Sequence, residues 1–145
     1  MNVYWLMAVA AVGGTATAFQ AHFMGLLDKR LGTIESVFIT YFSGGILIGL
    51  IMLFQRGGNL GAGGAAPWYA YTSGVLGLVI VGALAFSAPR LGLVAAFTVF
   101  VAAQFAVGAL VDHFGWMGAA ARPLNASRLA GMAVVLAGIW LIIRE

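Results

Sequence analysis

Three small or polar side chains recur at four-residue intervals within a long apolar stretch of this sequence. Residues 91–116, LGLVAAFTVFVAAQFAVGALVDHFGW, contain Gln104, Gly108 and Asp112 at positions i, i+4 and i+8. A helix would place the three on one face, and an unpaired amide in hydrocarbon costs roughly a few kcal/mol. This face should therefore point toward other helices or a cavity, where Gln104 and Gly108 could contact a small solute. A satisfied interhelical hydrogen bond is the alternative for the amide.

A second amide lies in the first apolar segment. Gly13, Thr17, Gln20 and Met24 fall on one helical face there, so Gln20 and Thr17 are the corresponding candidates for solute contact. Gln20 and Gln104 each lie about seven residues, roughly 10 Å, from the C-terminal end of their segments. Because those two segments run in opposite directions, the amides lie at different depths within one chain. In an antiparallel dimer, Gln20 of one copy would lie level with Gln104 of the other.

Four titratable side chains near segment ends are candidates for proton coupling. Asp112 and His113 stand together where the apolar stretch meets water, and a partly buried carboxylate beside an imidazole can titrate near neutral pH. His22 and Glu35 are the other two candidates. The alternatives are a solvated helix end for Asp112 and His113, a core histidine bonded to a carbonyl for His22, and a helix-capping carboxylate for Glu35.

The composition places this chain in the membrane. Of its 145 residues, 63% are hydrophobic and 8% are charged, against about 25% charged in an average soluble domain. So few polar groups could not cover the surface of a soluble protein of this size, and the sequence therefore indicates an integral membrane protein. The net charge of +3 comes mostly from segment ends, and the longest basic run, Lys29-Arg30, is too short for a nucleic-acid surface.

The sequence carries no pattern of a familiar catalytic or metal centre. It has no cysteine, which excludes disulfides, thiolate nucleophiles and cysteine-based metal sites. Neither a G-x-S-x-G nor an H-E-x-x-H pattern occurs, and His22 and His113 do not make a metal site without further ligands. We therefore predict neither an enzyme nor a protein with a cofactor or a bound metal.

Five apolar segments are long enough to cross a bilayer core of about 30 Å as helices. We predict an all-α membrane protein with one domain, residues 1–145, and with helices at about 3–27, 34–54, 68–86, 91–111 and 128–143. Gly45 and Gly49 in the second segment form a small-xxx-small pattern, which favours the close approach of another helix.

The connections between these segments are predicted to be short and polar or rich in glycine. Thr33 is the expected N-cap of the second helix, with Glu35 in its first turn. Residues 57–66, GGNLGAGGAA, form a linker with few packing groups and should be flexible. Residues 87–92, SAPRLG, are predicted to form a turn, and residues 113–127 a polar loop.

The positive charges give this chain no clear orientation in the membrane. With five helices, the seven Lys and Arg residues divide three against four: Arg56, Arg122 and Arg128 on one side, and Lys29, Arg30, Arg90 and Arg144 on the other. The positive-inside rule depends on an excess of Lys and Arg on one side, and three against four is no usable excess. We therefore predict dual topology, with copies of the chain inserted both ways.

Several of these motifs together resemble a known family. The run AAQFAVGALVDHFGW at 102–116 is followed by Pro123, Arg128, Gly131 and Gly138. The first helix carries Gln20 after a Gly/Thr-rich stretch, and the second carries Phe42-Ser43-Gly44-Gly45. In these features, over nearly the whole chain, the sequence resembles the YdcZ-like family of inner-membrane exporters, which belongs to the drug/metabolite transporter (DMT) superfamily. Met24 and Ala103 depart from the family pattern.

The resemblance implies a five-helix protein of the bacterial inner membrane, in a family that includes dual-topology homodimers. In the superfamily, small metabolites or drugs cross through a central cavity that opens alternately to each side. We therefore predict a secondary transporter, an exporter of a small organic solute, that works as an antiparallel homodimer of ten helices. The alternatives are a non-transporting structural or regulatory membrane subunit and a passive channel, although no segment carries the continuous polar stripe that a channel needs.

Overall fold

The computed structural model describes residues 2–60, 64 and 66–144, and within those ranges the regular structure is entirely helical. Among the described residues, five helices are long and apolar enough to cross a membrane. In chain order they are α1 (Val3–Leu31), α2 (Thr33–Phe54), α3 (Ser73–Leu91), α4 (Leu93–Phe114) and α5 (Ala126–Ile143). Short 3-10 turns at Trp68–Thr72 and Trp116–Gly118 precede α3 and follow α4. The predicted all-α membrane class is confirmed, whereas the single domain and the dimer stay predictions.

The first helix runs further than the hydrophobic pattern predicts. α1 ends at Leu31 rather than at residue 27, so that Lys29 and Arg30 belong to its last turn. Basic side chains are favourable near the negative end of the helix dipole, and they therefore extend the helix rather than end it. Gly32, with a φ of 109°, ends the helix, and its N–H donates to the Asp28 carbonyl at 3.0 Å.

The predicted N-cap role of Thr33 is wrong. Gly32 occupies the cap position of α2, and Thr33 is the first helical residue. The Thr33 hydroxyl donates to the Asp28 carboxylate, a charged acceptor in the last turn of α1 that binds a hydroxyl more strongly than a neutral group does. Glu35 lies in the first turn of α2, as predicted, where the helix dipole favours a carboxylate.

The predicted turn at residues 87–92 is wrong over most of its length. α3 continues through Pro89 to Leu91, and Gly92 alone separates it from α4. Pro89 lies in the last turn, where its missing N–H removes a single hydrogen bond. The φ of Gly92 is 85°, a conformation that favours glycine, so the glycine rather than the proline ends the helix.

Two other connections also differ from a simple loop. The loop predicted at residues 113–127 is shorter, because α4 continues to Phe114 and α5 begins at Ala126. Asn125 caps α5, since its side-chain oxygen accepts the Arg128 N–H at 2.8 Å and so satisfies a free donor of the first turn. The linker predicted at residues 57–66 lies partly outside the described residues.

The chain divides into two compact units, residues 1–90 and 91–145. In the first unit α1 packs on α2, and the buried Ser36 hydroxyl donates to the Met24 carbonyl at 3.0 Å. The side chains that α3 buries are aliphatic and mostly small: Leu84, Ala85 and Ala88. In the second unit α4 packs on α5, and Ala96 of α4 is buried.

Many large apolar side chains of both units face outward. Val134 is 72% exposed, Trp140 56% and Phe105 49%. In water such a surface would be strongly unfavourable, but lipid tails are as apolar as leucine, and helices in a membrane expose such residues freely. The surface of the single chain is therefore suited to lipid or to further helices.

Candidate functional site

One face of α4 and the start of α5 enclose a groove in the second unit. Its volume is about 290 Å³, and it is lined by Gln104, Phe105, Gly108, Ala109, Asp112, Leu124, Arg128 and Met132. We call it the α4–α5 groove. Gln104, Gly108 and Asp112 share this groove because they repeat every four residues along one helix. The structure thus brings together the polar face that the sequence predicts.

The mouth of the α4–α5 groove carries an ion pair. Arg128 Nη2 lies 3.3 Å from Asp112 Oδ2, and the two side chains are 40% and 41% exposed. Two further hydrogen bonds hold Arg128 in place. Its backbone N–H donates to the Asn125 side chain, and its Nη1 donates to the Arg122 carbonyl at 3.1 Å. Asp112 is therefore one member of a charged pair, and its partner is Arg128 rather than the neighbouring His113.

His113 fixes the segment that follows α4. The Leu124 N–H donates to His113 Nδ1 at 3.1 Å, and the Arg122 N–H donates to the Asp112 carbonyl at 2.7 Å. Because Nδ1 accepts a hydrogen bond, this arrangement suits a neutral imidazole with its proton on Nε2. The His113 side chain does not line the α4–α5 groove; Leu124, which it holds, does.

The other predicted amide lies in the first unit, on a groove of its own. Gln20 lines a cavity of about 400 Å³ with Thr40, Tyr41, Gly44, Gly45, Ile48 and Val81. We call it the Gln20 groove. The Tyr41 hydroxyl reaches α3 beside Gly77, where an added Cβ would overlap it. Gln20 therefore lies where a solute could reach it.

Three other predicted residues lie outside these two grooves. The Thr17 hydroxyl donates to the Gly13 carbonyl at 2.9 Å, so its hydrogen is used within α1. His22 is exposed in the single chain and lies beside Phe23, with ring centroids 6.0 Å apart. Glu35 is exposed in the first turn of α2, a placement that fits a capping carboxylate.

Sequence reasoning missed Arg128 as a site residue. It entered only the count of charges on each side of the membrane and the motifs that carry the family resemblance. A signal was available, because Asp112 and Arg128 stand at the two ends of one polar connection, where the ends of adjacent helices come close. A carboxylate at a helix C-terminus opposes the dipole, and this also predicts a nearby cation.

Within the described ranges, no group of three or more His, Asp or Glu side chains could hold a metal ion.

A family model described as "Putative inner membrane exporter, YdcZ" matches residues 5–141 of the chain. Comparison with curated proteins gives no match, and neither does comparison with solved structures.

Proposed function

Since this chain belongs to the YdcZ family of inner membrane exporters, we propose that it moves a small organic solute out of the cell by alternating access. The family is one of inner-membrane exporters, and the described residues include five helices long and apolar enough to cross a membrane. The proposal concerns what the family name leaves open: the kind of solute, the residues that hold it and the assembly that encloses it.

The α4–α5 groove is the observation that carries this proposal. Asp112, the acidic member of the ion pair, and the Gln104 amide both line this groove from one membrane-spanning helix, eight residues apart, which is about 12 Å along the axis. Polar groups inside a membrane helix are costly unless they have a partner or a function. We propose that Gln104 and Gly108 contact a solute in this groove. In the first unit we propose the same role for Gln20, at the Gln20 groove, and for Thr17, which lies about one helical turn before it on α1.

We further propose that the transporting form is an antiparallel homodimer of ten helices. The exposed glycines of α2, Gly44 and Gly45, leave a smooth surface for another helix. The near-equal division of positive charge also favours insertion both ways. In such a dimer Gln20 of one copy would lie level with Gln104 of the other.

For proton coupling we propose Asp112 as the first candidate, ahead of His113, Glu35 and His22. Of these four side chains, Asp112 lines the groove. Protonation of its carboxylate would remove the charge that holds Arg128 and so link the groove mouth to pH. His113 would act indirectly, through the Leu124 N–H that its Nδ1 accepts.

Efflux from proteoliposomes tests the proposed solute site. Vesicles loaded with a mixed metabolite extract would be diluted into a buffer that sets a pH gradient, and the released compounds measured by mass spectrometry. We expect the wild type to release specific compounds, and Gln20→Leu combined with Gln104→Leu to reduce their release at least tenfold while the dimer remains. Unchanged release from the double variant would contradict the assignment.

Gly108 and Gly131 offer a matched pair of controls for the groove. An added Cβ meets no atom within 4 Å at either position, so the first atom of a side chain fits at both in the single chain. Gly108 lines the α4–α5 groove and Gly131 does not. Gly108→Leu should therefore block efflux, whereas Gly131→Leu should retain it.

The orientation of the chain in the membrane tests the antiparallel dimer. The sequence has no cysteine, so a single cysteine placed by Asn59→Cys can be labelled without background. A membrane-impermeant maleimide applied to right-side-out and to inside-out vesicles should label a substantial fraction of the protein in each. Labelling from one side alone would overturn the antiparallel dimer and favour a non-transporting subunit that packs against a larger partner.

A further inference from the structure

We infer that the α4–α5 groove binds a compact zwitterion, whose ammonium contacts Asp112 and whose acid anion contacts Arg128, with the rest of the molecule pointing toward Gln104. The inference rests on the proposed function and names the class of solute that this groove would take. It depends on how the two charges are held, how much of each remains free, and what lies deeper in the groove.

The ion pair at the groove mouth leaves hydrogen-bonding capacity on both of its members. One contact of 3.3 Å joins the side chains, and each is about two-fifths exposed. Within the described residues, Asp112 Oδ1 receives no hydrogen bond and Arg128 Nε donates none. A carboxylate and a guanidinium in the stronger arrangement are joined by two parallel bonds. Asp112 and Arg128 can therefore each form a further hydrogen bond with a ligand.

The opposite charges of Asp112 and Arg128 favour a ligand that carries both a cationic and an anionic group. A solute with only an anion would take Arg128 from Asp112 and leave the carboxylate without a partner, and a solute with only a cation would do the reverse. An unpaired charge at the edge of an apolar groove costs more than a retained pair. A zwitterion replaces the single contact with two, so that both protein charges stay neutralised.

The deeper part of the groove sets the size and character of the remainder. Phe105, Ala109 and Met132 line it between the ion pair and Gln104. A volume of about 290 Å³ is at the lower limit of sites for drug-sized ligands, roughly 300–1,000 Å³. The groove is therefore suited to a small molecule with a short apolar side chain, which could end in a group that hydrogen-bonds an amide.

Two sources could supply this chemistry: a free amino acid and the headgroup of a zwitterionic phospholipid. The test uses the purified full-length protein in nanodiscs of phosphatidylglycerol, which has no ammonium group. Thermal unfolding is followed with leucine, methionine or phenylalanine, each compared with its amide, which keeps only the cation, and its N-acetyl form, which keeps only the anion. A parallel series replaces the lipid with phosphatidylethanolamine.

We expect at least one free amino acid to stabilise the protein with at least tenfold higher affinity than its amide or N-acetyl form. Asp112→Asn should shift the preference toward the N-acetyl form, and Arg128→Gln toward the amide. Stabilisation by phosphatidylethanolamine alone would identify the lipid headgroup as the source. Arg122→Gln is the matched control for Arg128, because it removes the same charge from the connection just before α5, outside the groove lining, and it should leave the preference unchanged.

Equal affinity for all three forms, no stabilisation by any zwitterion, or variants that lower stability without changing preference would overturn the inference. Binding in nanodiscs does not require transport. A failure of the zwitterion inference can therefore be distinguished from a failure of the proposed exporter function. Efflux that depends on Gln104 without zwitterion binding would leave the exporter standing and remove the substrate class. Zwitterion binding without efflux would support the ligand class and contradict the proposed exporter function.

Discussion

Each unit of this protein places an acidic side chain in the last turn of a helix and pairs it with an arginine, but the two pairs are built differently. In the first unit, the Asp28 side chain is 5% exposed, and Arg90 Nη1 lies 3.0 Å from its Oδ2. In the second, Asp112 and Arg128 are each about two-fifths exposed and 3.3 Å apart. A carboxylate at a helix C-terminus opposes the dipole, so both acids need a cation nearby.

The difference lies in how completely each carboxylate is surrounded. Asp28 accepts from Thr33 on one oxygen and from Arg90 on the other. The Arg90 guanidinium lies 3.9 Å above the Phe86 ring, and its Nη1 also donates to the Phe86 carbonyl. Asp112 has one side-chain partner, which faces a groove. The same pair of residue types is thus structural where it is enclosed and available for binding where it is open.

The largest expected effect comes from breaking the enclosed pair. Asp28→Asn removes the charge that Thr33 and Arg90 hold, and leaves Arg90 without its charged partner. The Asp28 carboxylate is almost fully enclosed, whereas Arg90 is about half exposed, and removing one member of a pair from a buried position is strongly destabilising. We expect the midpoint of thermal unfolding in nanodiscs to fall by about 5 °C or more, with less folded protein recovered from the membrane. A midpoint within 1 °C of wild type, about the precision of such a measurement, would show that Asp28 does not secure this unit.

Much of the fold was predictable from composition and spacing, because few polar groups and five apolar segments allow little but membrane helices. The shared face of Gln104, Gly108 and Asp112 was predictable for the same reason, since the helical period alone determines it. These features depend on distances along one helix, which the sequence contains.

The features that escaped prediction depend on contacts between segments. Thr33 carries the residue type of an N-cap, but the nearby Asp28 carboxylate competes for its hydroxyl. Arg128 lies 16 residues from Asp112 and becomes its partner only when α5 folds beside α4. Pattern reasoning also read Pro89 as a turn, whereas Gly92, with its positive φ, decides where α3 ends.

A smaller effect should follow from removing a neutral hydrogen bond at the α1–α2 contact. The fully buried Ser36 hydroxyl donates to the Met24 carbonyl at 3.0 Å. Ser36→Ala should cost about 1 kcal/mol of stability, the net value of one such bond. Ser43→Ala is the matched control, because its exposed hydroxyl donates within its own helix, to the Thr40 carbonyl. If Ser36→Ala and Ser43→Ala have the same free energy of unfolding, the Ser36 hydrogen bond does not stabilise the contact between α1 and α2.

The smallest stability effect is expected at the open pair, and it is the sharpest test of the comparison. Asp112→Asn removes one contact of 3.3 Å between half-exposed side chains, and exposed pairs contribute about 0–1 kcal/mol. The unfolding midpoint should therefore stay near that of the wild type, while ligand preference changes. A loss of stability as large as that of Asp28→Asn would mean that the second pair is structural too. The groove would then lack an ion pair free to exchange its partner for a solute, since opening it would cost as much as loosening the fold.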